Sequence, residues 1–125
     1  MKRDIENIED IKLMVNTFYD RIQKNEVLGP IFAEKIKDRW PEHLEKMYRF
    51  WQTILFSEHT YSGSPFPPHA NLPIDESHFI IWVKNFTETV DGFFEGPIAE
   101  EAKKRGTLMA AIFNSKLDYF KKNGL

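Results

Sequence analysis

A chain of 125 residues can bury roughly two thirds of its unfolded surface, so residues 1–125 are predicted to form one domain without a disulfide or structural metal. It carries 17 basic and 19 acidic residues, a formal net charge of −2, and this balance leaves no basic surface for nucleic acid. The absence of cysteine excludes thiolate metal sites and iron–sulfur clusters, and it leaves histidine as the available nitrogen ligand.

Two further classes of protein are disfavoured by the distribution of apolar residues. No apolar run reaches the roughly 18 residues that a membrane-spanning helix needs. Residues 1–10 are charged and no apolar block follows them, which is unlike a secretory signal. We therefore expect a cytoplasmic protein with no membrane partner.

The first predicted helix covers about residues 7–24, where apolar side chains recur at spacings of three and four. That stripe consists of Ile8, Ile11, Val15, Phe18, Tyr19 and Ile22. A phenol on a core-facing stripe needs a hydrogen-bond partner. Tyr19 is therefore either a satisfied structural tyrosine or a donor directed into a pocket.

Gly29 and Pro30 are predicted to end one helix and to begin a short turn of another, with Phe32 as its core anchor. A second long helix is predicted to begin between residues 38 and 41, with Asp38 as its cap. Its apolar stripe consists of His43, Met47, Phe50, Trp51 and Ile54. His43 is the titratable group on that stripe, so it is either a hydrogen-bonded core residue or a residue that faces a ligand.

A proline-rich segment follows this helix. Four of the seven prolines fall within residues 65–73, which excludes an ordinary helix until about residue 75. His69 lies within this stiff segment, with Phe66 and Leu72 on either side. Restricting the backbone in this way indicates an imidazole held in one direction, which suggests that His69 is a ligand.

Two more helices complete the chain. Asp75 is predicted to cap the first, which ends near residues 91–92 and carries one side-chain donor, Trp82, on its apolar stripe. That stripe consists of Phe79, Trp82, Val83, Phe86, Val90 and Phe93. The last helix covers about residues 97–122, and Gly106 in its middle is a weakness that permits close helix approach.

The apolar side of the last helix consists of Ile98, Ala102, Met109, Ile112, Phe113 and Phe120. No strand-like alternation, repeat or linker interrupts the helical pattern, so an all-α fold is predicted. His59 and His78 lie near loop ends and are assigned no role. The 11 Phe, 4 Tyr and 3 Trp fit a phenylalanine-rich core or a pocket for a flat apolar cofactor, and composition leaves both open.

Three stretches carry a resemblance to a known family. The run Y-x-G-x-P-F-x-x-H-x-x-L at residues 61–72 resembles the segment of group III truncated haemoglobins that supplies the iron ligand. The motif F-Y-D-R-I at residues 18–22 resembles their helix with a ligand-facing tyrosine, and W-P-E-H-L-E-K-M-Y-R-F-W at residues 40–51 resembles their distal helix. The resemblance implies a truncated globin fold, with helices packed two over two around a haem.

The same resemblance implies roles for particular residues. His69 is the expected ligand of the iron in haem b (iron protoporphyrin IX). The expected donors to a bound gas are Tyr19, His43 and Trp82. The remaining expected haem contacts are Phe32, Lys46, Met47 and Phe66, with Lys46 reaching a propionate.

This family membership would imply a five-coordinate iron that binds dioxygen, nitric oxide or other small ligands. We expect nitric oxide or reactive oxygen and nitrogen chemistry, as a nitric oxide dioxygenase or with peroxidase-like activity, in a monomer served by an external electron donor or reductase. Oxygen carriage or gas sensing without turnover stays open, as does a helical interaction module without a cofactor. A non-haem di-iron carrier is disfavoured because none of the four histidines belongs to an H-x-x-x-E pair.

Overall fold

A computed structural model describes residues 2–57 and 74–122, with side chains to residue 119. These residues form five α-helices, and their one strand-like pairing is an isolated bridge between Arg3 and Phe94. The helices are α1 (Ile8–Lys24), α2 (Leu28–Ile36), α3 (Trp40–Phe56), α4 (Glu76–Phe93) and α5 (Pro97–Lys122). The predicted all-α class is confirmed.

Local side-chain caps determine where α1 and α4 begin. The side chain of Asn7 accepts a hydrogen bond from the amide of Asp10 at 3.0 Å and starts α1. The carboxylate of Asp75 accepts from the amide of Ser77 at 2.9 Å and starts α4, as predicted. The predicted cap of α3 is wrong, because Arg39 precedes its first residue and no side chain caps it.

The predicted short turn around Gly29 is a complete helix of nine residues. A Cβ atom at Gly29 would lie 2.6 Å from the carbonyl oxygen of Gln23, so the approach of α2 to the end of α1 requires glycine there. Pro30 follows in the first turn of α2, where its missing amide costs no hydrogen bond. Gly29 and Pro30 therefore lie within the first turn of α2 rather than in a connecting turn.

The core lies where α1 packs against α2, α3 and α4, and where α5 packs along α4. Its most deeply buried side chains are Ile5, Ile11, Met14, Val15, Ile22, Leu28, Phe86, Thr89 and Val90. Two members of the predicted apolar stripes lie outside it, since Phe93 is 39% and Ile112 44% exposed. Phe93 is the last residue of α4, and Ile112 lies outside the buried face of α5 that carries Ala110, Phe113 and Leu117.

Residues 3 and 4, before α1, make side-chain hydrogen bonds to both α1 and the start of α5. The carboxylate of Asp4 accepts hydrogen bonds from the amides of Ile98 at 3.0 Å and Ala99 at 2.8 Å, and so caps α5. Arg3 pairs with the buried carboxylate of Asp10, with Nη1 at 2.6 Å from Oδ2. Within the described residues, no helix has the length and apolar character needed to cross a membrane.

Replacing Asp10 with asparagine should lower the free energy of unfolding by about 1.5–3 kcal/mol at pH 7, the range for hydrogen bonds to charged groups. The hydrogen bond from Arg3 holds the pKa of Asp10 below its ordinary value of 3.8. A lowered folded-state pKa stabilises the protein above that ordinary value, and this contribution is lost as the pH falls through the folded-state pKa. Urea denaturation of both proteins between pH 3 and 7 should therefore show the difference shrinking with acid.

Asp20 supplies the matched control for this change. Its carboxylate pairs with Lys24 one turn away, but both side chains are more than half exposed. Asp20→Asn should change the free energy of unfolding by less than about 0.5 kcal/mol. If both variants lower the free energy of unfolding by the same amount, the ion pair between Arg3 and Asp10 stabilises the protein no more than a surface ion pair does.

Candidate functional site

An apolar cavity opens between the helices. It comprises about 610 Å³ of empty space, including the part that is open to solvent. The described residues that line it are Tyr19, Leu28, Phe32, Met47, Phe50, Ile74, His78, Phe79, Trp82, Met109, Ala110 and Phe113. All five helices contribute, and aromatic and aliphatic side chains predominate. A concave space of this character, with a few polar groups on its wall, is typical of a cofactor or ligand pocket.

Tyr19 brings a phenol to this wall from α1. Its side chain is 6% exposed, and burial raises the pKa of the phenol above its ordinary value of 10.0. The ring is held edge-on by Phe18 at 5.0 Å and by His43 at 5.1 Å between centroids. The Tyr19 phenol is therefore protonated, and its ring is packed against Phe18 and His43. A protonated hydroxyl can donate a hydrogen bond.

Trp82 brings an indole to the same wall from α4. Its ring stacks on Phe86 with centroids 5.4 Å apart and the planes 15° apart. Phe18 packs edge-on against it at 5.1 Å. Because Phe86 stacks on the indole and Phe18 packs edge-on against it, these neighbours restrict the direction of the indole N–H.

His43 packs against the Tyr19 ring and is not among the described residues of the wall. Its ring is nearly perpendicular to those of Tyr19 and Trp40, at 5.1 Å and 5.7 Å, and its Nε2 atom is enclosed by protein. Met47, one turn further along α3, does reach the cavity, whereas Lys46 is also absent from its described wall. The structure thus brings His43 into contact with the Tyr19 ring and leaves its role as a donor to a ligand a prediction.

His78 is a wall residue to which the sequence assigned no role. Its Nδ1 atom accepts a hydrogen bond from the backbone amide of Asp75 at 3.0 Å and completes a capping box, while its ring lines the cavity. The signal was present in the spacing, because His78 lies one helical turn before Trp82 and so shares its face of α4. Met109 and Phe113 reach the wall from α5 by the same spacing of four.

The predicted site residues thus divide into three groups. Tyr19, Phe32, Met47 and Trp82 come together around one cavity. His43 and Lys46 lie on α3 but are not among the described wall residues. The predicted iron ligand His69 and its neighbour Phe66 lie outside the described residues, as does His59.

A helical fold around an apolar cavity with phenol and indole donors has the characteristics of a globin, and comparisons with known proteins agree. The bacterial-like globin family matches residues 5–114. Group 3 truncated hemoglobin ctb of Campylobacter jejuni is 31% identical over 121 residues, 94% of this chain and 95% of that protein. The crystal structure of the group III truncated hemoglobin from Campylobacter jejuni superposes with a TM-score of 0.84 at 31% identity, over 94% of this chain and 95% of that one.

The chain belongs to the bacterial-like globins and, within them, to the group III truncated haemoglobins. The predicted truncated globin fold is confirmed by the structural match. Membership in this family implies haem binding and the binding of small gaseous ligands. The apolar and aromatic walls fit a porphyrin ring, and Tyr19 and Trp82 fit a polar ligand beside it. Within residues 2–57 and 74–122 no group of three or more His, Cys, Asp or Glu could hold a metal ion.

Proposed function

We propose that this protein binds haem b in the cavity, through His69 as the single protein ligand of a five-coordinate iron, and that it reacts bound dioxygen with nitric oxide or a related species. The observation that carries the proposal is the pairing of two donors, Tyr19 and Trp82, on one apolar wall. Phe32 and Met47 on the same wall are assigned to the porphyrin. Lys46 as a propionate partner and Phe66 beside His69 are assigned from the sequence.

Haem, when bound, supplies one open iron position for a diatomic ligand. The protein supplies the surroundings of that ligand. The Tyr19 phenol stays protonated because its burial raises the pKa, so it can donate to a ligand oxygen over the whole ordinary pH range. The indole N–H of Trp82 can donate a hydrogen bond to the ligand but cannot accept one. Because the surrounding wall is apolar, each hydrogen bond is stronger there than in water.

Two such donors favour turnover over transport. A carrier must release its ligand at working concentrations, whereas hydrogen bonds to a ligand that carries partial negative charge slow its release. Retained, polarised dioxygen suits a reaction with nitric oxide, and the same donors suit the cleavage of a peroxide. Either cycle needs electrons from an external donor or reductase. The monomeric state and the cytoplasmic location stay predictions, and carriage or sensing is the second candidate function.

Tyr19→Phe should accelerate oxygen dissociation by about 10- to 100-fold, because a hydrogen bond to a charged group contributes about 1.5–3 kcal/mol and each 1.4 kcal/mol is tenfold. His43→Ala should accelerate it less, since His43 lies near the start of α3 and is not among the described wall residues. Stopped-flow dissociation rates of the ferrous proteins measure both effects. Tyr48→Phe is the control, because that phenol donates to Asn16 at 2.5 Å and does not line the cavity. If His43→Ala accelerates oxygen dissociation as much as Tyr19→Phe does, or more, these roles are wrong.

The oxygenated protein should convert nitric oxide to nitrate with one nitrate formed for each protein that becomes ferric. Rapid mixing with nitric oxide, followed by nitrate analysis and the visible spectrum, measures this stoichiometry. Trp82→Phe and Tyr19→Phe should lose oxygen before reaction and so lower the nitrate yield. Fast oxygen release from the unmodified protein with little nitrate would instead favour carriage or sensing.

A further inference from the structure

Three aromatic rings form a continuous stack that starts at the cavity and runs into the core. Trp82 stacks on one face of Phe86 at 5.4 Å, and Trp51 stacks on Phe86 at 5.1 Å, both with the planes only 15° apart. Phe18 closes the side of the stack, edge-on to Phe86 at 5.3 Å. Phe86 itself is 1% exposed. The ring that supports Trp82 is therefore enclosed by other rings and has no solvent-filled space to move into.

Gly106 of α5 lies against the edge of this central ring. A Cβ atom built on Gly106 would be 2.7 Å from both Cδ2 and Cε2 of Phe86, which is closer than such atoms approach in proteins. Glycine in the interior of a helix is less stabilising than alanine. The packing of Phe86 gives a physical reason for a glycine here, because any larger residue would displace the ring.

We propose that Gly106 and Phe86 are positioning residues that set the direction of the Trp82 indole in the cavity. Gly106 does not line the cavity, so it acts through Phe86. The Phe86 ring is stacked with both Trp82 and Trp51, so a displacement of this ring moves the stacked indoles. A donor on a buried site must be held within about 0.5 Å and 10–20° of its productive geometry. A small shift of this stack therefore weakens the hydrogen bond of Trp82.

This inference rests on the proposed function, in which Trp82 donates to the bound ligand. Its test is the oxygen dissociation rate of the haem-loaded Gly106→Ala protein, measured by stopped flow. The rate should rise roughly 2- to 10-fold, the effect of weakening one hydrogen bond. Gly92→Ala is the matched control, because it places the same residue in helix α4 where a Cβ atom meets nothing within 4 Å. Its rate should stay within about twofold of the unmodified protein, as for a surface change remote from the site.

A double-mutant cycle separates positioning from general loosening. In a Trp82→Phe background no indole N–H remains to be misdirected, so Gly106→Ala should no longer change the dissociation rate. An undiminished effect in that background would overturn the inference. Near-UV circular dichroism gives a readout independent of the ligand, because the Gly106→Ala spectrum should change where the stacked indoles absorb and the Gly92→Ala spectrum should not.

The possible failures are distinguishable. If Trp82→Phe leaves the dissociation rate unchanged, the proposed role of Trp82 fails, and with it the premise of the inference. If Trp82→Phe accelerates release but Gly106→Ala does not, the proposed function stands and the positioning role is wrong. If Gly106→Ala does not fold, Phe86→Leu replaces it, because this variant keeps Gly106 but removes the stacking face. Phe86→Leu should then accelerate oxygen release, and an unchanged rate would refute the inference.

Discussion

Replacing His69 with alanine should strip most of the haem from the purified protein, or leave haem held without a bond from a protein imidazole. The chain has four histidines and no cysteine, so few side chains can bind iron. Of the two described histidines, His43 packs against Tyr19 and Trp40, and the Nδ1 atom of His78 accepts a hydrogen bond from Asp75. The proline-rich sequence around His69 restricts the backbone, and on that sequence feature we expect His69 to be the iron ligand.

The measurement is the Soret absorbance per mole of protein for the unmodified chain and for His69→Ala, expressed with sufficient haem. His59→Ala is the control, because that histidine is assigned no role and should keep a full Soret band. An unchanged imidazole-ligated spectrum in His69→Ala would move the ligand to another histidine. His78 would then be the first candidate, because it lines the cavity, whereas the distal resemblance of the sequence pointed to His43. No Soret band in the unmodified protein would favour the cofactor-free helical module.

Helix positions were predictable where one residue determines them locally. Asn7 and Asp75 cap the next helix through hydrogen bonds to amides two or three residues away, and such contacts are encoded in short sequence. The start of α3 at Trp40 falls within the predicted range of residues 38–41, but the predicted cap at Asp38 is wrong. Lys37 adopts a positive φ of 56°, and the side chain of Arg39 donates to the carbonyl of Lys35 at 2.8 Å. The backbone between α2 and α3 depends on how α2 packs against the rest of the fold. A residue that favours a cap at position 38 does not reveal that packing.

The site was predictable as far as helical faces determine it. The periodicity of the sequence placed Tyr19 and Trp82 on buried stripes, and the family resemblance gave those stripes a ligand to face. Periodicity does not decide which of two residues on one face reaches a cavity. Met47 lines the wall, while His43, one turn earlier on the same stripe, contacts the Tyr19 ring and is not among the described wall residues. The distinction depends on the position of α1 over α3, which only the assembled fold contains.

His78 illustrates a different limit. Its position three residues after a cap identifies it as the partner in a capping box, and that local role accounts for its Nδ1 atom. Its second role follows from the face of α4 that also brings Phe79 and Trp82 to the cavity wall. A residue near a loop end is usually solvated, so the local context favoured no role at all. Only the packing of α4 against the other helices shows whether such a histidine is solvated or lines the cavity.

Phe86→Ala should lower the free energy of unfolding by about 3–5 kcal/mol, the usual cost of truncating a buried phenylalanine to alanine. The side chain is 1% exposed, with two indoles stacked on it and Phe18 at its edge. Gly106, against the Cδ2–Cε2 edge of the ring, has no side chain with which to fill the space. The neighbouring rings are held by one another, so the void should collapse poorly and the cost should lie toward the upper end of that range.

The measurement is urea denaturation of the unmodified and variant proteins in the same haem state, because a bound cofactor adds stability of its own. Phe93→Ala is the matched control, since that ring belongs to the same helix but is 39% exposed. Its loss should stay near 1 kcal/mol, the central value for point substitutions. A total stability of about 5–15 kcal/mol for a domain leaves Phe86→Ala near the threshold of folding. Equal losses for Phe86 and Phe93 would mean that the stack of Trp82, Phe86 and Trp51 is not the packed centre of the fold.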